Sequence, residues 1–314
     1  MAKELPIDRF IGSIRADAPD AASLKSICDR QIAEIERRQR ELEAERGAAT
    51  LARTLQRYDD ILNLLGSGSG EATLYREVMA DQTRRDAAGE CEVRMANAAS
   101  KISLSRPIYD RLKAIRAGKA DAATQLYLAR TLADFERAGV ASEPAKRAQI
   151  QALQEELSKV STDFEANIAK GRKTVSADPS ELEGLPADYI AARQPGTDGK
   201  VTISTDYPDL NPVMAYATSD ALRQRLMFAN LTRATPENDA LLRRVLDLRA
   251  QLAGMLGRPN YAALVLENKM VDTPAKVEKL LADMAEAARP AAERDYAKKL
   301  AVLKTIRPDA TRID

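Results

Sequence analysis

Histidine does not occur in this 314-residue chain, and that one count removes most of the chemistry a hydrolase commonly uses. A zinc centre of the HExxH kind needs two imidazoles one helical turn apart, whose neutral nitrogens hold the metal while the intervening Glu activates its water. A Ser or Cys nucleophile with a His base falls to the same count. Ser–Lys pairs and all-carboxylate chemistry survive it but find little support. Adjacent acids such as Glu155-Glu156 and Asp59-Asp60 point about 100° apart on a helix, so solvated faces account for them better than acid–base work does. Gly171-Arg172-Lys173-Thr174 has the ending of a phosphate loop, yet Ala166 stands where that motif requires Gly, and no strong apolar strand precedes it. Tyr75, Tyr127, Tyr207, Tyr216 and Tyr261 pair apolar rings with hydroxyls and could line a peptide-binding surface, although interhelical packing is the weightier reading. Cys28 and Cys91 form no CxxC pair, so two free thiols in a reducing compartment are expected. No catalytic, cofactor-binding or metal-ligating residue is assigned.

The elements that would position any site are helical by composition. Hydrophobic residues make up 45% and charged residues 30%, with four Phe and no Trp, a mixture that favours helices over a β-sandwich or disorder. Lys and Arg total 48 against 47 Asp and Glu, so no field of one sign draws nucleic acid or an anionic membrane. The basic run Arg37-Arg38-Gln39-Arg40 is interleaved with Glu34, Glu36, Glu41 and Glu43, which gives i,i+4 pairs rather than a phosphate-tracking stripe. The opening residues Met1-Ala-Lys-Glu-Leu-Pro lack an apolar signal-peptide core, and no stretch approaches a membrane span. The default expectation is therefore cytoplasmic, unless a leader was removed.

Periodicity locates the helices. Ile150, Leu153, Leu157, Val160, Phe164 and Ile168 step by three or four, predicting one long helix across 145–168. Leu24, Cys28, Ile32, Ile35 and Leu42 make a similar stripe, expected to pair antiparallel with Leu51, Leu55, Tyr58, Leu62 and Leu65. Thr235-Pro236 and Thr273-Pro274 place a hydroxyl at the N-cap and Pro at the first helical position. The helix after Thr273 carries Val277, Leu280, Leu281, Met284, Tyr296, Leu300 and Leu303, and Pro290 within it predicts a kink or break near Arg289. Gly66-Ser67-Gly68-Ser69-Gly70 reads as a flexible interhelical loop. Between Val175 and Pro212 the prolines and glycines break helices, and Asp198-Gly199 precedes the alternating Val201-Thr202-Ile203-Ser204, predicting a small hairpin. The chain thus divides into a helical section 1–174, an irregular segment with a short hairpin 175–212, and a second helical section 213–314.

Ordered pieces between Tyr207 and Leu281 carry a resemblance. Asp206-Tyr207-Pro208-Asp209-Leu210-Asn211-Pro212-Val213-Met214 is followed by Ala221-Leu222-Arg223, Arg233, Asn238, Leu246-Asp247-Leu248-Arg249-Ala250, Leu256-Gly257, Asn260-Tyr261-Ala262, Lys269-Met270 and Thr273-Pro274. This series resembles the M3 family of thimet oligopeptidase-like zinc metallopeptidases. The resemblance implies an all-α fold: an elongated multi-helix N-terminal domain with one small β-hairpin insertion, forming one wall of a deep channel. It also implies that HExxH and the zinc lie in a C-terminal half absent from this chain, of the same or a separate polypeptide, against which 213–314 would pack. Short peptides would be the substrates. No zinc ligand or catalytic residue of the family maps onto any position here, so this chain alone is expected to be inactive, with no cofactor of its own. The other reading is a free-standing helical protein that binds peptides or a partner without catalysis.

Overall fold

The computed structural model describes residues 20–313; the N-terminal stretch read above for a signal peptide lies outside the described residues. The chain forms two compact units, up to Leu248 and from Arg249 onward. The first begins with α1 (Ala21–Ala44), whose Asp20 cap accepts from the Ser23 amide at 2.7 Å. A short π-helical turn (Leu51–Leu55) runs into α2 (Gln56–Val78), and α3 (Gln82–Ser103) follows behind an Asp81 cap. Then come α4 (Arg106–Lys113), α5 (Ala122–Ala138) and the long α6 (Pro144–Lys170). Each of the three caps Asp20, Asp81 and Asp121 bonds an amide three residues on, which satisfies a donor the helix cannot.

Of the stripes read from the sequence, Leu24, Cys28, Ile35, Leu42, Leu55, Tyr58 and Leu65 are buried, while Ile32, Leu51 and Leu62 are partly so. Ile61 and Leu64 of α2 and Met95, Ala98 and Ile102 of α3, not singled out in the sequence, complete the core. Phe135 of α5 closes this core against Tyr58, ring centroids 5.6 Å apart.

The glycine run expected to be a loop lies instead inside α2. Its physical reason is at Gly68: a Cβ there would meet Met95 Cε at 2.4 Å and Gln31 Oε1 at 3.1 Å. The missing side chain is what lets α3 come close while the apolar stripe of α2 runs on through Ala72 and Tyr75.

The expected free thiols are also corrected. Cys28 and Cys91 are joined in a disulfide with Cα atoms 5.9 Å apart, because their stripes on α1 and α3 face each other.

After α6 the chain forms β1 (Thr174–Ala177), a 3-10 turn (Pro179–Leu182), α7 (Ala187–Ala191) and β2 (Val201–Ser204). The strands pair antiparallel, Thr174 opposite Ser204 and Ala177 opposite Val201. The fold is all-α with this one small two-stranded sheet among the described residues. α8 (Tyr207–Tyr216) starts with Pro208 in its first turn and keeps Pro212 within it, and α9 (Asp220–Leu231) follows a Ser219 cap. A second core gathers Leu182, Ile203, Val213, Leu222 and Leu226.

α10 (Glu237–Met255) spans the boundary between the units. It starts at Glu237 behind a cis Thr235-Pro236 bond and Ala234 at φ 53°, so Thr235 is two positions from the helix rather than its cap. Val245 and Leu248 pack with Val160 of α6.

The second unit holds α11 (Tyr261–Leu266) and α12 (Pro274–Ile306). Thr273 caps α12 by accepting from the Lys276 amide at 3.3 Å, as the Thr-Pro pair predicts. Pro290 does not break it: the helix runs through. The residues around Pro290 are exposed, so water can serve the carbonyl that proline leaves unbonded. No described helix is long and apolar enough to cross a membrane.

Candidate functional site

A groove of about 1150 Å³ in the first unit is lined by α3 and α6, the corner Asp206-Tyr207-Pro208 and Arg233. Helix α6 can form one side because its stripe is turned inward at Ile150 and Val160 while Asp163, Glu165 and Lys170 face the groove.

Arg76, near the end of α2, donates to Glu92 of α3 at 2.6 Å and to Glu165 of α6 at 2.8 Å, tying three helices at one end of the groove. Burial works against its charge, but Glu92, Glu165 and Glu77 outweigh that and hold the guanidinium above its usual range. At the far rim Arg172 donates to Asp206 at 2.5 Å, and Arg233 approaches the other carboxylate oxygen at 3.7 Å. Tyr207 stands beside that pair with 75% of its surface exposed. The groove therefore carries paired acids and bases along its walls and an exposed ring at its rim, a polar surface that can hydrogen-bond a ligand's main chain. It carries no nucleophile–base pair.

The family-like pieces turn out to be fastenings. Asp209 is buried and accepts from the Ser204 amide and hydroxyl, the Tyr189 hydroxyl and Arg193. Arg223 is held by the Ala217 carbonyl and Asp220. Asn238 donates to the Phe164 carbonyl at 2.9 Å and accepts from Asn167 at 3.0 Å, clamping α10 to α6. Gly171 permits that join, since a Cβ there would lie 2.6 Å from the Ala234 amide nitrogen. Asn260 caps α11 by accepting from the Ala263 amide.

The tyrosines considered together in the sequence are not brought together. Tyr75 is buried, Tyr127 donates to Asp59 at 2.9 Å, and the Arg249 guanidinium lies over Tyr261, 5.1 Å from its centroid. Tyr207 alone among them lines the groove. Arg76 and Glu165 were not singled out in the sequence, and no local signal marks residues 89 positions apart as neighbours. Among the described residues no three His, Cys, Asp or Glu side chains gather to hold a metal ion.

Comparison with known proteins adds four matches. Residues 213–311 match the family model described as peptidase family M3. The chain is 30% identical over 188 residues to oligopeptidase A of Escherichia coli (strain K12), an alignment covering 55% of this chain and 28% of that protein. It is 25% identical over 234 residues to saccharolysin of Saccharomyces cerevisiae (71% of this chain, 33% of that protein), and 25% over 296 residues to a thimet-like oligopeptidase of Dictyostelium discoideum (91% and 43%). The matched stretch spans less than half the length of each of these curated relatives.

Proposed function

We propose that this chain, whose residues 213–311 match peptidase family M3 and which is similar to oligopeptidase A and saccharolysin, is the N-terminal, channel-wall portion of a zinc metallopeptidase that cleaves short peptides. M3 peptidases depend on zinc, and the residues present here do not fit that metal. There is no imidazole, both cysteines are consumed in a disulfide, and the described acids form no cluster. The HExxH helix and its zinc belong, in this reading, to a C-terminal half of the same or a separate polypeptide.

The observation that carries the proposal is α12. None of its residues is buried, yet Leu280, Leu281, Met284 and Tyr296 are all exposed along one apolar stripe. An amphipathic helix of this length is normally stabilised by covering that stripe, and an uncovered run of large apolar side chains marks a surface built for a partner. The missing half of the relatives' length supplies the occupant. The groove of the first unit then contributes contacts to peptide, with Tyr207 at its rim.

Expressed alone, residues 1–314 should bind a hydrophobic-surface dye strongly and hydrolyse no short peptide. Adding the remaining, HExxH-bearing polypeptide with zinc should abolish the dye signal and bring peptide cleavage. A monomeric, dye-silent 1–314 would instead favour the free-standing binding protein, and zinc-dependent cleavage by 1–314 alone would refute the division of labour.

A further inference from the structure

The Cys28–Cys91 bond says where this protein works. These are the chain's two cysteines, and they are 63 positions apart. Cys28 sits between Leu24 and Ile35 on the inner stripe of α1, and Cys91 between Ala88 and Met95 on that of α3. Only 1% of Cys28 and 8% of Cys91 is exposed. Leu24, Ala72, Tyr75 and Ala88 line the same small cavity as the two cysteines, so the surroundings of the bond are largely apolar. The Cα separation of 5.9 Å lies in the middle of the range disulfides adopt without backbone movement.

We propose that the protein matures and acts in an oxidising compartment, with Cys28–Cys91 as a permanent structural bond rather than a reversible switch. This replaces the cytoplasmic default, and it stands independently of the peptidase reading. A switch needs an accessible, thiolate-forming sulfur, and neither sulfur here is reachable without opening the three-helix core. Structural disulfides of this kind persist where thiols are not kept reduced.

Formation balances through an oxidised thiol–disulfide oxidoreductase. The Cys28 thiolate attacks one sulfur of the enzyme's disulfide, giving a mixed disulfide and releasing one enzyme thiol. The Cys91 thiolate then displaces the second. Two protons leave the cysteines, and the oxidoreductase takes two electrons as it becomes a dithiol. With two cysteines in the chain, no other intramolecular pairing competes.

The test is thiol counting on the natural full-length protein, acid-quenched in its own cells, unfolded and treated with a heavy maleimide. The peptides that carry Cys28 and Cys91 are then read by mass spectrometry: both are expected unmodified before reduction and modified after it, and modification of both without reduction would overturn the proposal. A second measurement needs no variant to fold: in native buffer dithiothreitol should leave the bond intact, and reduction should require denaturant. Reduction without denaturant would overturn the structural role. Once reduced and refolded, the protein should melt about 5 °C lower or more, and an unchanged melting temperature would likewise count against it.

Discussion

The Ser204 hydroxyl and the Ser204 amide both donate to one carboxylate oxygen of Asp209, at 2.6 and 2.8 Å, closing the end of β2 onto the first turn of α8. The other oxygen takes the Tyr189 hydroxyl and Arg193, whose guanidinium also lies over the Tyr189 ring. Asp209→Ala should therefore strand several donors at once and destabilise the first unit by about 3 kcal/mol, read by urea denaturation.

The same carboxylate predicts an acid response. Burial alone would raise its pKa, but the bonds from Ser204, Arg193 and Tyr189 outweigh that and hold it below the usual range. A carboxyl depressed in the folded state contributes stability that is present above the unfolded pKa and lost as pH falls through the folded one. The Asp209 contribution should be complete above about pH 4, near the unfolded value, and fall away progressively as the pH drops below it. Wild type and Asp209→Asn should accordingly converge in melting temperature as the pH is lowered through that range, and a constant gap down to pH 2 would contradict it.

At the alkaline end the sign reverses. Burial first, and then the bond to Asp59, push the Tyr127 hydroxyl up to about 12. A raised tyrosine favours the neutral form on folding, so its contribution is complete below the unfolded value near 10 and disappears as pH rises to about 12. Tyr127→Phe should flatten that part of the stability profile.

The glycines of α2 should separate by position. Nothing lies within 4 Å of a Cβ built at Gly66 or Gly70, so each change to Ala there should stabilise by about 0.5–1 kcal/mol through helix propensity. Gly68→Val should instead cost about 1–3 kcal/mol by displacing Met95 and Gln31. Gly184→Ala should cost about 2–4 kcal/mol, since φ is +90° and the new Cβ would lie 2.3 Å from the Tyr216 carbonyl oxygen.

On α12, Leu281→Asp and Met284→Asp remove exposed side chains and should change the stability of 1–314 by less than about 0.5 kcal/mol. The same changes should reduce its dye binding and impair assembly with the HExxH-bearing half. A loss of stability in the isolated chain, or peptide cleavage at wild-type rates in the assembled enzyme, would argue against α12 as the docking face.

The sequence by itself determined what depends on neighbours along the chain. Spacing placed the stripe of α6, the Thr273 cap and the β2 strand, because helix and strand periods and cap bonds span only a few residues. A count of imidazoles excluded the nitrogen-held zinc centre from this chain. Only the tertiary structure decided what depends on which helix faces which. It put Gly66–Gly70 into a helix because Gly68 receives Met95, and it carried α12 through Pro290 where solvent surrounds it. It joined cysteines 63 positions apart, and it brought Arg76 to Glu165 across 89. Contacts made through space leave no period in the sequence, so the core, the disulfide and the groove became visible only with the packing.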